Sequence, residues 1–346
     1  MPPLRECITT EEALEERLSR PTPGTIEAMR RLQGDLLILG VGGKMGPSLA
    51  RLARRSADAA GCQQLRIIGA SRFSDAALRQ HLEQDGIQTV VCDFQDPQQR
   101  AALPRVPNVI FAFGYKFRHD KTPGLYWVHN VALPLALAEQ FRAARIVCFS
   151  SGNIYAFTPR GQRAPTEHDP PGPLGEYATT VWGRERVVQY VSTRYETPAC
   201  LLRLNYAVEA RYGVLVDVAQ RLLAGEPIPL RVPEVNFVWQ AYANAVALQA
   251  FAISRPGGEI LNVTGLQRHS VRDLAEELGR RLGVRPQFEG PEGPASLLSD
   301  ARRCHELFGP PELDAEQLMD LVAAWLRAGG RTLGKPTRFE VADGQF

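Results

Sequence analysis

Lysine is scarce in this chain. Of 40 basic residues only four are lysine, at positions 44, 116, 121 and 335, and the remainder are arginine. A reaction that depends on a lysine therefore has few places to find one. Neither sign of charge is in excess: 38 acidic residues leave a formal net charge of +2, too balanced for a nucleic-acid surface. No apolar run is long enough to cross a bilayer, and the acidic, amphipathic N-terminus lacks the apolar core of a secretion signal. A soluble cytoplasmic protein with no membrane or nucleic-acid partner is expected. The six cysteines, at 7, 62, 92, 148, 200 and 304, show neither paired nor metal-ligand spacing. Cys92, Cys148 and Cys200 fall in apolar, strand-like runs and read as small hydrophobes. No metal site is expected, and a reducing compartment is the simplest setting.

What the chain has is a stretch at residues 36–46, LLILGVGGKMG. An apolar run of strand length ends in glycines at 40, 42, 43 and 46, and a helical pattern follows with Leu49, Leu52 and Ala53 on one face. Glycine permits the tight turn and close backbone approach, while the free N–H groups at the helix start attract an anion such as a pyrophosphate. The spacing Gly40, Gly43, Gly46 departs from the two-then-three spacing of the general dinucleotide fingerprint. The strand before it and the helix after it still favour nucleotide binding over a turn kept for packing.

The 346 residues suggest a large α/β domain with a smaller lobe. Residues 1–34 read as a helical arm, with Thr9 and Glu12 as a capping box, Thr22-Pro23 as a cap and first-turn proline, and Gly34 as a stop. Apolar runs at 65–70, 89–92, 109–113, 146–149 and 199–204 alternate with helical stretches beginning near Ser74, Asp96, Pro123 and Gly175. This alternation predicts an α/β fold, a Rossmann-type doubly wound parallel sheet over residues 35–206. Helices at 215–224, 241–253, 271–282 and 315–328, with a strand at 259–263, predict a smaller C-terminal substrate-binding lobe over 207–328, interleaved with the core sheet. Residues 329–346 lack periodicity and read as an extended tail.

Ligands of such sheets sit beyond the C-terminal strand ends. After the second strand come Ser71 and Arg72 with no acidic residue, which favours the 2′-phosphate of NADP over the ribose hydroxyls of NAD. Asp93, after the third strand, suits an adenine amino group or a turn cap. Lys44, Met45, Phe94, Phe113 and Gly114 line the same crevice and are assigned to the cofactor with the glycines. Ser151 ends the fifth strand, where its hydroxyl can polarise a substrate oxygen, and Tyr177 opens a long helix. Arg211, Tyr212 and Gln240 enter the lobe from the same side and are candidates for the substrate, which is expected to be a small molecule. Trp182 and Trp239 read as core or interface aromatics, and a homodimer is the base-rate expectation.

Together these residues resemble the extended short-chain dehydrogenase/reductase superfamily, in its NAD(P)-dependent epimerase/dehydratase branch. The loop Gly40-x-x-Gly43-x-x-Gly46 looks like that branch's loop, and Asp93 matches its adenine-binding aspartate. Asn130 matches the asparagine of its fourth helix. Ser151 stands at the place of the catalytic Ser/Thr, and Tyr177 at that of the catalytic tyrosine. Arg203 and Asn205 resemble the segment leading into the substrate lobe. The likeness runs from about residue 36 to about residue 326 and implies hydride chemistry at a carbinol carbon of a sugar, sugar acid or nucleotide-sugar-like substrate. Ser151 would hold the reacting oxygen, Tyr177 would move its proton, Asn130 would support a water relay, and Asn205 would face the substrate.

One departure matters. The family's tyrosine is followed four residues later by a lysine that holds the nicotinamide ribose and lowers the tyrosine's pKa; here that position is Val181. An unperturbed tyrosine, with a pKa near 10, is ionised to only about one part in a thousand at neutral pH. Lys116, His119 and Lys121, after the fourth strand, are the nearest alternative cations; Arg184 lies about 10 Å along the helix from Tyr177. A cofactor-binding regulator or scaffold without turnover is the alternative function.

Overall fold

A computed structural model describes residues 8–116 and 122–344; His119 and Lys121 lie outside the described residues. Seven strands, β1 (Leu36–Leu39), β2 (Ile67–Ser71), β3 (Gln88–Val91), β4 (Asn108–Phe111), β5 (Arg145–Ser151), β6 (Ala199–Leu204) and β7 (Glu259–Val263), form one sheet in the order β7-β6-β5-β4-β1-β2-β3. All the pairings are parallel. Parallel strands covered on both faces carry continuous apolar runs. In β1, Leu36 and Ile38 enter one core cluster while Leu37 and Leu39 enter the other.

Helices cover both faces. α1 (Glu11–Leu18) and α2 (Pro23–Arg31) make the N-terminal arm, and α3 (Gly46–Ala59), α4 (Ala76–Gln84) and α5 (Pro97–Ala101) follow the first strands. α6 (Gly124–Trp127) and α7 (Leu133–Gln140) are joined by a single π-helical turn, Val128–Ala132. α8 (Gly175–Arg194) lies between β5 and β6. α9 (Val214–Ala224), α10 (Gln240–Gln249), α11 (Val271–Leu282), α12 (Arg302–Phe308) and α13 (Ala315–Arg327) complete the chain. Among the described residues no helix is long and apolar enough to cross a membrane.

After β1 the chain builds outward to β2 and β3 and then returns to place β4 on the other side of β1. That reversal opens a crevice above the C-terminal ends of β1 and β4, with the glycine turn on one wall and the segment after β4 on the other. The arm packs on α3 and carries the Glu15–Arg51 and Glu16–Arg55 pairs, at 2.8 and 3.0 Å. Its first cap is Thr10, whose hydroxyl accepts from Ala13 N, one residue after the Thr9 expected from sequence. Thr22 caps α2 as expected, in a reciprocal box with Thr25.

Candidate functional site

Each glycine of the first turn has its own steric reason. Gly40 has φ +88°, and a Cβ there would come 2.7 Å from Phe113 Cβ. A Cβ on Gly43 would meet Gly40 O at 3.2 Å, and one on Gly46 would collide with Val41 O. A side chain at Gly46 would thus separate α3 from the turn. Met45 stands at the N-cap of α3 without a side-chain cap bond, and the first helical turn carries no acidic residue. The opening N–H groups of a 14-residue helix are left to an anion.

The fold brings several cofactor candidates to this turn. A Cβ on Gly42 would lie 2.6 Å from Ser71 Oγ, so the end of β2 abuts the glycine turn, and Arg72 is exposed beside it. The Phe94 and Phe113 rings face each other at 5.2 Å, joining the ends of β3 and β4. Asp93 Oδ1 accepts from Gln95 N at 3.0 Å, a turn cap that still leaves lone pairs.

The second half of the crevice lies beyond β4 and β5. Ser151 ends β5 and exchanges bonds with Asn153, its Oγ reaching Oδ1 at 2.8 Å and accepting from N at 3.2 Å. Tyr177 sits in the first turn of α8. Trp127 Nε1 donates to Glu176 Oε2 at 2.9 Å, and the Tyr126 ring lies edge-on to Tyr177 at 6.5 Å. Val181 is buried with Ile154 and Tyr155, and Tyr177 packs against the three. An ammonium in that apolar setting would lose its hydration without a partner.

Asn130 is fully buried on the π turn. Its Oδ1 accepts from Tyr115 N at 2.9 Å and from Arg184; its Nδ2 donates to Tyr115 O at 3.0 Å and Thr180 Oγ1 at 3.1 Å. Thr180 Oγ1 in turn donates to Tyr177 O at 3.0 Å. Both donors and both acceptor sites of the amide are used, which corrects the expected relay: the side chain has no capacity left for water, and it instead ties the end of β4 to the head of α8. π turns concentrate at functional sites, and this one aims Asn130 inward. The segment so held presents Lys116, whose ammonium lies within electrostatic reach of the Tyr177 phenol. Arg184 is committed elsewhere: buried, it donates to Phe149 O at 2.9 Å, and a side chain at Gly114 would collide with its guanidinium at 2.5 Å.

Below the site lies a network that sequence reading missed. Arg203 and Glu185, 3% and 1% exposed, pair at 2.8 Å. Ser150 Oγ donates to Glu185 Oε1 at 2.6 Å, and Arg203 Nη1 donates to Tyr155 OH at 2.7 Å. Burial pushes the Tyr155 phenol up to about 12, with Arg203 opposing, so Tyr155 keeps its proton and is structural. The available signal was Glu185 standing four residues after Val181 and three before Val188, on the apolar face of α8.

The expected substrate residues diverge. Gln240 is a correction: it is 1% exposed and donates to Ser48 Oγ on α3 at 3.1 Å, because α10 packs on α3. Arg211 is another, since its guanidinium turns to the arm and pairs with Glu15 at 2.7 Å and Glu209 at 3.2 Å. Asn205 is buried and donates to Asn236 Oδ1 at 2.8 Å. Tyr212 is half-buried and carries Lys44 over its ring, with Nζ 3.6 Å from the centroid. Lys44 also donates to Ala207 O at 2.9 Å, so its side chain leaves the glycine turn and crosses to the lobe.

The sequence model of the NAD dependent epimerase/dehydratase family matches residues 36–232. No curated relative matches the chain by sequence. Among solved structures, MoeE5 in complex with UDP-glucose and NAD is similar at TM-score 0.69 and 18% identity, covering 86% of this chain and 99% of that one. UDP-glucuronic acid 4-epimerase from Bacillus cereus, in complex with UDP-glucuronic acid and NAD, gives 0.71 and 16%, covering 85% and 99%. UDP-glucose 4-epimerase from Thermus thermophilus, with NAD, gives 0.68 and 20%, covering 85% and 99%. At these identities the likeness is one of fold.

Proposed function

The chain belongs to the NAD dependent epimerase/dehydratase family, and we propose that it performs pyridine-nucleotide chemistry at a carbinol carbon of a sugar, sugar acid or nucleotide-sugar-like substrate. One observation carries this reading: the open N-terminus of α3 and the pair Ser151 and Tyr177 border the same crevice, on either side of the strand-order reversal. The residues present suit a dinucleotide, since the glycines let the turn close against its neighbours and the start of α3 carries neither a side-chain cap nor an acidic residue, which leaves its N–H groups to a pyrophosphate. When bound, the nicotinamide accepts a hydride from the carbon or returns it.

The chain's own part is proton handling and orientation. Ser151 Oγ holds the reacting oxygen, and Tyr177 takes the hydroxyl proton as the carbon becomes a carbonyl, giving it back in the reverse step. Lys116 supplies the positive charge that steadies this transfer in place of the cation absent at Val181. Asn130 and Thr180 fix the distance between the two segments. Arg72 is our candidate for choosing NADP over NAD; the similar structures carry NAD.

The test is direct. Protein incubated with NAD or NADP and a panel including UDP-glucose, UDP-glucuronic acid and free polyols should bind cofactor and convert at least one compound, read by nicotinamide absorbance and product chromatography. Cofactor binding with no conversion across the panel would instead support the regulator motivated by Val181. No cofactor binding at all would remove both readings.

A further inference from the structure

Lys44 belongs to both halves of the crevice. Its backbone lies inside the glycine turn, where Gly43 N donates to Gly40 O at 2.9 Å, Gly46 N to Gly43 O at 3.2 Å and Leu49 N to Met45 O at 3.0 Å. Its side chain leaves that turn for a segment 163 positions away. There Nζ donates to Ala207 O at 2.9 Å and stands 3.6 Å from the centroid of the Tyr212 ring. Glu209, between those two partners in sequence, is 1% exposed, pairs with Arg211 at 3.2 Å and supplies the countercharge.

The lobe side is a closed loop. Ala207–Val208 pairs in parallel with Val238–Trp239, and Glu209 and Tyr212 exchange backbone bonds at 2.8 and 3.2 Å. Gly213 leaves the loop at φ +133°, and a Cβ there would come 2.5 Å from Val208 Cγ1. Ala207 O and the Tyr212 ring are thus held as one unit, and a single ammonium engages both. The same loop starts at the reacting end of the crevice. Leu204, the last residue of β6, is in register with Ser151, and a Cβ on Gly152 would come 3.0 Å from Asn205 Cβ. Tyr206 follows with φ +43°, a conformation that costs a bulky residue energy and that its surroundings must hold. Val238 N, donating to Tyr206 O at 3.1 Å, is one such hold, and the grip of Lys44 on Ala207 is the next along the chain.

We propose that Lys44 is a positioning residue that couples the two halves of the site: a dinucleotide that settles the glycine turn fixes, through this side chain, the loop at 205–213 against the end of β5. This rests on reading the crevice as a cofactor site and adds that the order of the loop beside Ser151 depends on the cofactor. The latch is a charge-assisted hydrogen bond and a cation over a ring, both half-buried, where each is stronger than in open water. Coupling of this kind is reciprocal, so an ordered loop also steadies the turn.

The test reads backbone hydrogen exchange in the full chain, with and without saturating NADH or NADPH. In the native protein the cofactor should slow exchange at 40–49 and, by about tenfold, at 206–213, within the usual range of coupling between linked sites. Lys44→Met keeps the aliphatic stem. Saturated according to its own dissociation constant, it should retain the protection at 40–49 and lose that at 206–213. Tyr212→Leu should give the same result from the lobe side, and Tyr212→Phe, which keeps the ring, should behave as the native chain does. Protection at 206–213 that persists in Lys44→Met overturns the proposal, as does its absence from the cofactor-bound native chain; if Lys44→Met does not fold, persistence in Tyr212→Leu overturns it. A loss of cofactor affinity of about tenfold in Lys44→Met with 206–213 still protected makes Lys44 a phosphate ligand instead. A native chain that binds neither cofactor fails the proposed function itself, a result read before any variant is compared.

Discussion

Tyr177 has neighbours that lie far from it in sequence, Tyr126 against its ring and Lys116 in electrostatic reach, and Val181 of its own helix packs beneath it. If the phenol moves the substrate proton, Tyr177→Phe should cut turnover by about 10²-fold or more and leave cofactor affinity nearly unaltered, since no bond to the cofactor is lost. Turnover within tenfold of the native rate would exclude the role. Arg72 allows an equally local test. Its exposed position beside the glycine turn predicts that Arg72→Ala weakens NADP by about 1.5 to 3 kcal/mol, the range of hydrogen bonds to charged groups, and leaves NAD untouched. Equal weakening of both would show that it does not read the 2′-phosphate.

At the level of the element, a carboxyl holds the C-terminal tail to the first turn of α9. Asp217 sits in the first turn of α9 and accepts from Thr337 N. Burial pushes its carboxyl above the usual range, with the bonds from Thr337 opposing and Glu340 reinforcing. The folded chain therefore holds this proton more tightly than the unfolded chain. Its contribution to stability is full below the unfolded carboxylate value, about 3.9, and is lost as pH rises through the folded value. Asp217→Asn keeps an acceptor for Thr337 and cannot ionise. Its thermal midpoint should fall less steeply than the native one as pH rises from 4 toward 7. Identical slopes in the two proteins would show that the carboxyl is not raised.

Across the whole molecule, the Arg203–Glu185 pair joins β6 to α8, with Ser150 of β5 and Tyr155 in the same network. Removing one charge from a buried pair leaves the other uncompensated, which costs about 3 to 5 kcal/mol. Glu185→Ala should lower the urea midpoint by a corresponding amount, in a single transition read by both fluorescence and circular dichroism. A shift under about 1 kcal/mol would mean that the pair is solvated and contributes little.

The sequence by itself determined the sheet and its contents. Strand runs buried on both faces are mostly apolar, and their alternation with helical periods was enough to place β6 and β7 to the residue and the others to within a few positions. Gly40, Gly43 and Gly46 were legible because a backbone that admits no Cβ leaves only one residue type. Tertiary structure decided what side chains of ambiguous chemistry do. Gln240 and Arg211 looked like substrate groups, but α10 packs the first against Ser48 and the arm claims the second through Glu15. Asn130 looked like a water relay, but its four bonds are filled from the segment after β4 and from α8. The course of the tail carried no signal, because a segment without periodicity reveals its path only through its anchors. A polar side chain's role depends on which partners reach it first, and those partners come from segments whose distance along the chain says nothing of their distance in space.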